Sequence, residues 1–309
     1  MTDLIPFARE VRDYCDVLLR KLDAMYADLT EGVVRNHQLA GGPPIAYQGY
    51  CVLFKDVFPQ ADRQTAFTLC AAGYLYYLHL LLNDRVSDEH ESLSPVEICW
   101  FGLASSALQE SALQWLGSIF DPDFSFWSYL STCQLDFVRA VLKEKVRHTN
   151  GLSVYPWDEM QEVAIGKSGI VKAYTSALAL LTGKVETIEP LSRSQDMFNV
   201  ARQLFDDFQD WKQDYRSKAY TYLLSRAILG TEVEKQIRAG KMPPVHIIGE
   251  LILEKRLDQL LLEEARGAYR VSIEEAEKVG AFHWISSIRE QQSKFERMIH
   301  QRLWLGRLN

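Results

Sequence analysis

Apolar residues recur three and four positions apart along almost the whole chain, while the strict alternation of a half-buried strand is scarce. That period returns apolar side chains to one face of a helix turn after turn, so the chain is read as all-α. Leu4 to Leu29 reads as a first helix, with Asp3 as its cap and Pro6 in the tolerant first turn. Further helices are expected over 46–57, 61–87, 95–118, 125–148, 157–183, 193–215, 218–230, 244–254, 255–279 and 281–304. The breaks carry glycine and proline: Gly41-Gly42-Pro43-Pro44, Pro59, Ser92-Leu93-Ser94-Pro95, Asp121-Pro122, Gly151 to Pro156, Gly183 to Pro190, and Gly240 to Pro244. None is long enough for an interdomain linker, and no repeat divides the chain. Residues 1–309 are expected to form one helical domain.

Of the 309 residues, 47% are hydrophobic, enough for a sizeable core, and 24% are charged, which is not a disordered composition. The net charge of −7 makes a general nucleic-acid or membrane-surface binder a poor reading. A negatively charged substrate would need basic residues or metal ions of its own. The cysteines (Cys15, Cys51, Cys70, Cys99, Cys133) are widely spaced, with no CxxC pair, so neither zinc spacing nor a disulfide framework is read. Four of the five have apolar or aromatic neighbours, which suits buried free thiols in a reducing cytoplasm. The N-terminus lacks a basic region followed by an apolar run, as a signal peptide would have. The most apolar run, Ala71 to Leu82, falls short of the ~20 residues a membrane span needs. A soluble, cytoplasmic protein is expected.

Two acidic helix segments carry the chemistry. Asp84 and Asp88 stand four apart at the end of an apolar, aromatic helix, so both carboxylates share a face. Alone, that is a common solvated helix end. Asp206, Asp210 and Asp214 form a longer stripe, interleaved with Phe205, Phe208 and Trp211. Like charges four apart repel by a few tenths of a kcal/mol per pair, or roughly 0.2–0.5. A hard divalent cation relieves this, and Mg²⁺ is held by one or two carboxylates together with substrate phosphates.

These segments resemble those of the class I isoprenoid synthases, which include polyprenyl diphosphate synthases and terpene synthases. Asn83 to Glu89 is similar to the first aspartate-rich motif, DDxxD, with Asp84 and Asp88 at its first and last positions and Arg85 in place of the middle aspartate. Gln203 to Asp210 is similar to the second motif, FQxxDDxxD, and Asp206, Asp210 and Asp214 also fit the metal triad of terpene synthases. Lys167-Ser168-Gly169 resembles a Lys-Thr-Gly segment whose lysine contacts diphosphate. Gln134-Leu135-Asp136 weakly resembles a Gln-x-x-Asp site, and Lys218 to Leu224, with Tyr222, resembles the stretch after the second motif. The likeness covers roughly Tyr74 to Leu224.

The resemblance implies an isoprenoid synthase-type helical bundle with a central cavity. It implies three Mg²⁺ ions, held with a prenyl diphosphate by Asp84, Asp88, Asp206, Asp210 and Asp214. Gln203 is placed at the same site by its motif. Lys167, Arg216 and Lys218 are expected to add positive charge for the diphosphate. Tyr74, Tyr77, Phe101, Tyr174, Phe205 and Phe208 are candidates to stabilise a carbocation, although core packing is the commoner role of such rings. His79, five residues before Asp84, is placed at the cavity wall or equally as a core histidine. A homodimer is typical of the resembled family.

Two departures bear on function. Chain-elongating synthases hold isopentenyl diphosphate on a Gly-Gly-Lys-Arg-x-Arg segment; here Ala40-Gly41-Gly42-Pro43-Pro44 stands in its place without basic residues. The Arg-Arg-Gly that follows the first motif is missing near Glu91-Ser92-Leu93. A second diphosphate thus lacks its fixed donors and charge. The expectation is a terpene synthase that ionises and cyclises one fifteen- or twenty-carbon prenyl diphosphate. The alternatives are a prenyltransferase joining a prenyl diphosphate to an acceptor, and a non-catalytic subunit of a heteromeric synthase.

Overall fold

The computed structural model describes residues 4–30, 49–89 and 92–306. Asp3, Ala40 to Pro44 and Glu91, named above, lie outside the described residues, as does the side chain of Asp88. Twelve α-helices and two short 3-10 turns make up the secondary structure among the described residues, with no strand. The helices gather into two units, neither continuous in sequence: one holds the described residues up to Trp127 with Tyr174–Val185, the other Ser128–Ala173 with those from Glu186 onward.

The first unit contains α1 (Leu4–Thr30), a 3-10 turn (Tyr50–Phe54), α2 (Arg63–Glu89) and α3 (Pro95–Gly117). Helix α2 is its core, packed along α3 and against α1. Leu69, Tyr74, Leu75 and Leu78 of α2 are buried, as are Phe101, Ala104 and Leu108 of α3. Burying one such large apolar side chain stabilises by about 1.5–3 kcal/mol. Helix α3 starts where its sequence demands: Ser94 Oγ accepts from Glu97 N (3.2 Å), Glu97 Oε2 accepts from Ser94 N (2.8 Å), and Pro95 follows the cap. The helical stretch Arg63–Ser87 is long and apolar enough to cross a membrane, well beyond the Ala71–Leu82 run; 56% of its apolar window is buried inside the protein, as in a core helix.

The second unit takes in most of α4 (Phe126–Asn150), then α5 (Trp157–Lys167) and the first turn of α6 (Ile170–Thr182). It continues with α7 (Ile188–Ser217), α8 (Tyr222–Ile228), α9 (Glu232–Arg238), α10 (Val245–Glu254), α11 (Leu257–Glu277) and α12 (Phe282–Gly306). Helix α7, 30 residues and so about 45 Å long, is the spine. It packs on α11, α5, α8 and α10. A buried polar lock fixes it: Ser194 Oγ donates to Ser272 O (2.7 Å), Ser272 Oγ donates to Ser194 O (2.7 Å), and Trp284 Nε1 donates to Ser194 Oγ (2.8 Å).

Several expected boundaries shift. The helix read over 157–183 is two helices, because the chain tightens into i→i+3 bonds at Gly169 N→Gly166 O (3.1 Å) and Lys172 N→Gly169 O (3.0 Å). Helix α7 begins at Ile188 rather than 193, since Pro190 sits in the first turn, where its missing N–H costs nothing. The helix read over 218–230 shrinks to α8, because Lys218 is left-handed (φ 61°) and caps α7. The 46–57 helix is a 3-10 turn at Tyr50–Phe54, its first three residues lying outside those described, and α9 was not anticipated. Cys15, Cys51, Cys70 and Cys133 are buried thiols and Cys99 is exposed.

Candidate active site

Helix α2 runs unbroken to Glu89, which sets Asp84 and Asp88 one turn apart. Asp84 is partly buried. The turn before it is pinned to α3 through buried Ser105: His79 Nδ1 lies 2.7 Å from Ser105 Oγ and 3.1 Å from its carbonyl, and Ser105 Oγ donates to Asn83 Oδ1 (2.9 Å). Burial lowers the His79 pKa and so favours the neutral ring, while the Ser105 carbonyl works the other way. Arg85, where the first motif has an acid, lies over the Phe101 ring at 4.9 Å from its centroid. Tyr74, Phe101 and Tyr174 are buried in this unit, and Tyr77 is partly buried. Gly73 makes room for Tyr174, whose Cζ would lie 3.2 Å from a β-carbon there.

In the second unit, Asp206, Asp210 and Asp214 follow one another a turn apart along α7. Asp210 is exposed and Asp206 and Asp214 are partly buried. Burial raises the Asp206 pKa and Asp210 adds to this, while Arg202, 3.7 Å away, and Lys167 pull it back. Asp214 is pushed up to about 7, by burial first and then by Asp207, Asp210, Glu144 and Asp206. The stripe is therefore a field of mutual repulsion that extends to Glu144 of α4.

The other residues expected at the site are placed as follows. Lys167 ends α5 and meets Glu144 Oε2 at 2.7 Å. Gln203 Nε2 donates to Asp207 Oδ1 (2.8 Å), on the buried side of α7. Phe205 and Phe208 pack on Phe295 of α12, with centroids 5.3 and 6.3 Å away. Tyr222 is fully buried; its hydroxyl donates to Glu264 Oε1 (2.9 Å) and accepts from Arg226 Nη1 (2.5 Å). Arg216 and Lys218 are exposed at the end of α7. Asp136 pairs with Arg139 at 3.3 Å.

Three neighbours of the stripe were not singled out from the sequence. Asp207 is buried and accepts from Gln203 and from Leu223 N (3.4 Å), tying α7 to α8; burial pushes it up to about 6. Tyr155 has its pKa raised by burial and then by Asp207 and Glu144, and Arg147 stacks on its ring at 3.7 Å. Glu144 is the third. Asp207 was visible as the second acid of the Asp-Asp pair. Glu144, set between Lys143 and Lys145, reads in sequence as a solvated face.

Among the described residues, no three His, Cys, Asp or Glu side chains converge as a finished metal cage does. The stripe offers something else: hard oxygen donors a turn apart, each in the repulsive field of the next. Mg²⁺ takes one or two carboxylates and completes its shell with phosphate oxygens and water, so this donor set fits it.

No protein-family model and no curated protein matches the chain. Solved structures do. A geranylgeranyl pyrophosphate synthase from Corynebacterium glutamicum superimposes with a TM-score of 0.72 at 15% identity, covering 96% of this chain and 95% of that one. A decaprenyl diphosphate synthase from Rhodobacter capsulatus gives 0.69 at 15% identity, over 97% and 98%. An octaprenyl pyrophosphate synthase from Helicobacter pylori gives 0.68 at 12%, over 91% and 97%. The chain has the all-α class I isoprenoid synthase fold. At these identities the likeness is one of fold.

Proposed function

We propose that this protein is a Mg²⁺-dependent enzyme that acts on a prenyl diphosphate and transfers the prenyl group to an acceptor. The observation that carries this is the Asp206–Asp210–Asp214 stripe, with Lys167 beside it, on the fold of polyprenyl diphosphate synthases. Asp206, Asp210 and Asp214 would hold the metal, and Asp84 and Asp88 are proposed as further ligands. When bound, Mg²⁺ neutralises the diphosphate and stabilises it as a leaving group. Lys167 adds a fixed positive charge for the same oxygens. The structural neighbours are named as synthases of polyprenyl products, which favours transfer over internal cyclisation.

One sequence observation favours cyclisation as a second reading. The basic segment that would hold isopentenyl diphosphate is absent at Ala40 to Pro44. Within the transfer reading, the same observation selects an acceptor without a diphosphate, such as an aromatic or other neutral nucleophile. Incubating the protein and Mg²⁺ with farnesyl or geranylgeranyl diphosphate separates the readings by mass spectrometry. A prenylated acceptor, formed only when acceptor is added, supports transfer. A hydrocarbon or alcohol from the diphosphate alone supports cyclisation. Tight Mg²⁺-dependent binding without turnover under either condition would point to a non-catalytic subunit.

We also propose a homodimer. Leu135, Val138, Leu142 and Val146 line an exposed apolar row on α4, flanked by Asp136, Arg139 and Lys143, so a two-fold copy would meet both apolar surface and opposite charge. Leu142→Glu should convert a dimer to a monomer in light scattering; an unchanged mass would count against this face.

A further inference from the structure

The second unit has a cleft of about 530 Å³, enclosed by the C-terminal half of α4, the connection after it and the start of α5. That volume falls within the roughly 300–1,000 Å³ of small-molecule sites. Arg139, Lys143 and Arg147 line it, four residues apart on α4, so they form a ladder of positive charge with rungs about 6 Å apart. Arg147 is the fixed end. The residue is 8% exposed, its guanidinium lies over the Tyr155 ring at 3.7 Å, and Nη2 donates to Ser153 O (3.0 Å). Glu159 accepts from Nη1 at 3.4 Å, longer than the about 2.7–2.9 Å of a charge-assisted bond, and the buried Nε has no acceptor. The other two rungs are paired at the surface, Arg139 with Asp136 at 3.3 Å and Lys143 with Glu162. All four of those side chains are at least 40% exposed, so the pairs contribute little and another anion can take the place of the acids. Leu142 and Val146, each one residue before a rung, line the same cleft and are each 59% exposed.

We propose that this cleft binds a prenyl diphosphate without a metal ion, at a site separate from the α7 stripe. The diphosphate meets Arg139, Lys143 and Arg147, and the start of the chain lies along Leu142 and Val146. The charged ladder and the apolar strip beside it match the two halves of an anionic amphiphile. On α7 the carboxylates need a cation between them and a diphosphate; here the side chains supply the positive charge themselves. The choice of a prenyl chain rests on the function proposed above, and the cleft itself does not. Leu142 and Val146 also belong to the row proposed as the two-fold face, so both proposals hold only if that contact leaves the cleft open.

Titration calorimetry of the full chain with farnesyl diphosphate in EDTA tests this, because the metal-free α7 stripe repels a diphosphate. The expected result is one site per chain. Arg139→Gln with Lys143→Gln should weaken binding about tenfold or more, and inorganic diphosphate, which lacks the chain, should bind the wild type about tenfold more weakly. Mg²⁺-dependent turnover by the double variant should stay at the wild-type rate. No binding in EDTA, as when a second copy covers the cleft, overturns the proposal. So does binding that the double variant leaves unchanged, or equal affinity for inorganic diphosphate. A parallel loss of turnover would place these cations at the reaction itself and overturn it as well. The reading of α7 fails separately, through a wild type without Mg²⁺-dependent turnover, and that result leaves the titration in EDTA untouched.

Discussion

Gly166→Ala tests the contact on which the Lys167 geometry depends. The new methyl would sit 2.5 Å from Ala140 Cβ and 2.8 Å from the Asp136 carbonyl oxygen, neither of which can swing away. Carbon atoms pack at about 3.5–4.0 Å, so the end of α5 must retreat from α4 by roughly 1 Å. Overpacking of this kind costs about 1–3 kcal/mol, and contact with backbone places it near the upper end. Replacing glycine in a helix returns about 1 kcal/mol of propensity, leaving a net loss of about 2 kcal/mol. At about 2–4 °C per kcal/mol for a unit of this size, the melting temperature should fall by about 4–8 °C. Gly102→Ala is the control. It lies in α3 with nothing within 4 Å of its would-be β-carbon, so it should gain up to about 1 kcal/mol and melt higher. Differential scanning calorimetry in EDTA reads both. If Gly166→Ala melts at or above wild type while Gly102→Ala rises, the close approach of α5 to α4 is refuted.

Asp210→Ala and Asp84→Ala are each expected to reduce Mg²⁺-dependent diphosphate release from a prenyl diphosphate by about 100-fold or more while melting near wild type; normal turnover in both would remove the metal-site assignment. Asp214 is raised from 3.8 to about 7, so folding favours its protonated form. Its contribution to stability is complete below pH 3.8 and is lost as pH rises through about 7. In EDTA, the melting temperature of Asp214→Asn should therefore rise relative to wild type across that window, and a steeper decline in the variant would contradict the shift. His79 has the opposite sign: its lowered pKa contributes stability above 6.5 that is lost as pH falls, so His79→Gln should lessen any acid-side loss in the same melts. Ser194→Ala removes the acceptor of the Trp284 indole N–H and the donor to the Ser272 carbonyl, at a cost of about 1–3 kcal/mol; an unchanged melting temperature would show that the lock contributes nothing.

Most helices were legible because their signals are local. Ser94-Pro95 with Glu97 starts α3, and the apolar period carries α2, α3 and α11. What was not legible depends on partners distant in sequence. The break at Ser168-Gly169 falls inside a continuous apolar pattern, with Val163 and Ala164 before it and Ile170 and Val171 after it. Nothing local distinguishes it from a helix that tolerates one glycine. In sequence Pro190 reads as part of a break, although a proline in the first turn of a helix is harmless. At the site, the four-residue repeat of Asp206, Asp210 and Asp214 is local and was legible. The carboxylate that extends their repulsive field, Glu144, comes from another helix and sits among lysines, so no spacing rule could find it.

Arg85 shows how a departure from a motif can be absorbed by packing. On a helix, residue 85 is turned about 100° from Asp84, so an acid or a base there does not share the face of Asp84. Here the guanidinium lies over Phe101, a fully buried ring of α3, 4.9 Å from its centroid. Such a contact contributes about 0.5–2 kcal/mol and anchors the end of α2 to α3 beside the His79–Ser105–Asn83 contacts. The substitution thus replaces an acid with a clamp and leaves Asp84 and Asp88 at the first and last positions of the motif. It also lowers the negative charge of that helix end. A helix end with less repulsion to relieve gains less from a divalent cation than the α7 stripe, where Asp206, Asp207, Asp210 and Glu144 all act on Asp214. If the α7 stripe is the metal site proposed above, a divalent cation would be held chiefly by α7, and Arg85 would serve the packing of α2 on α3.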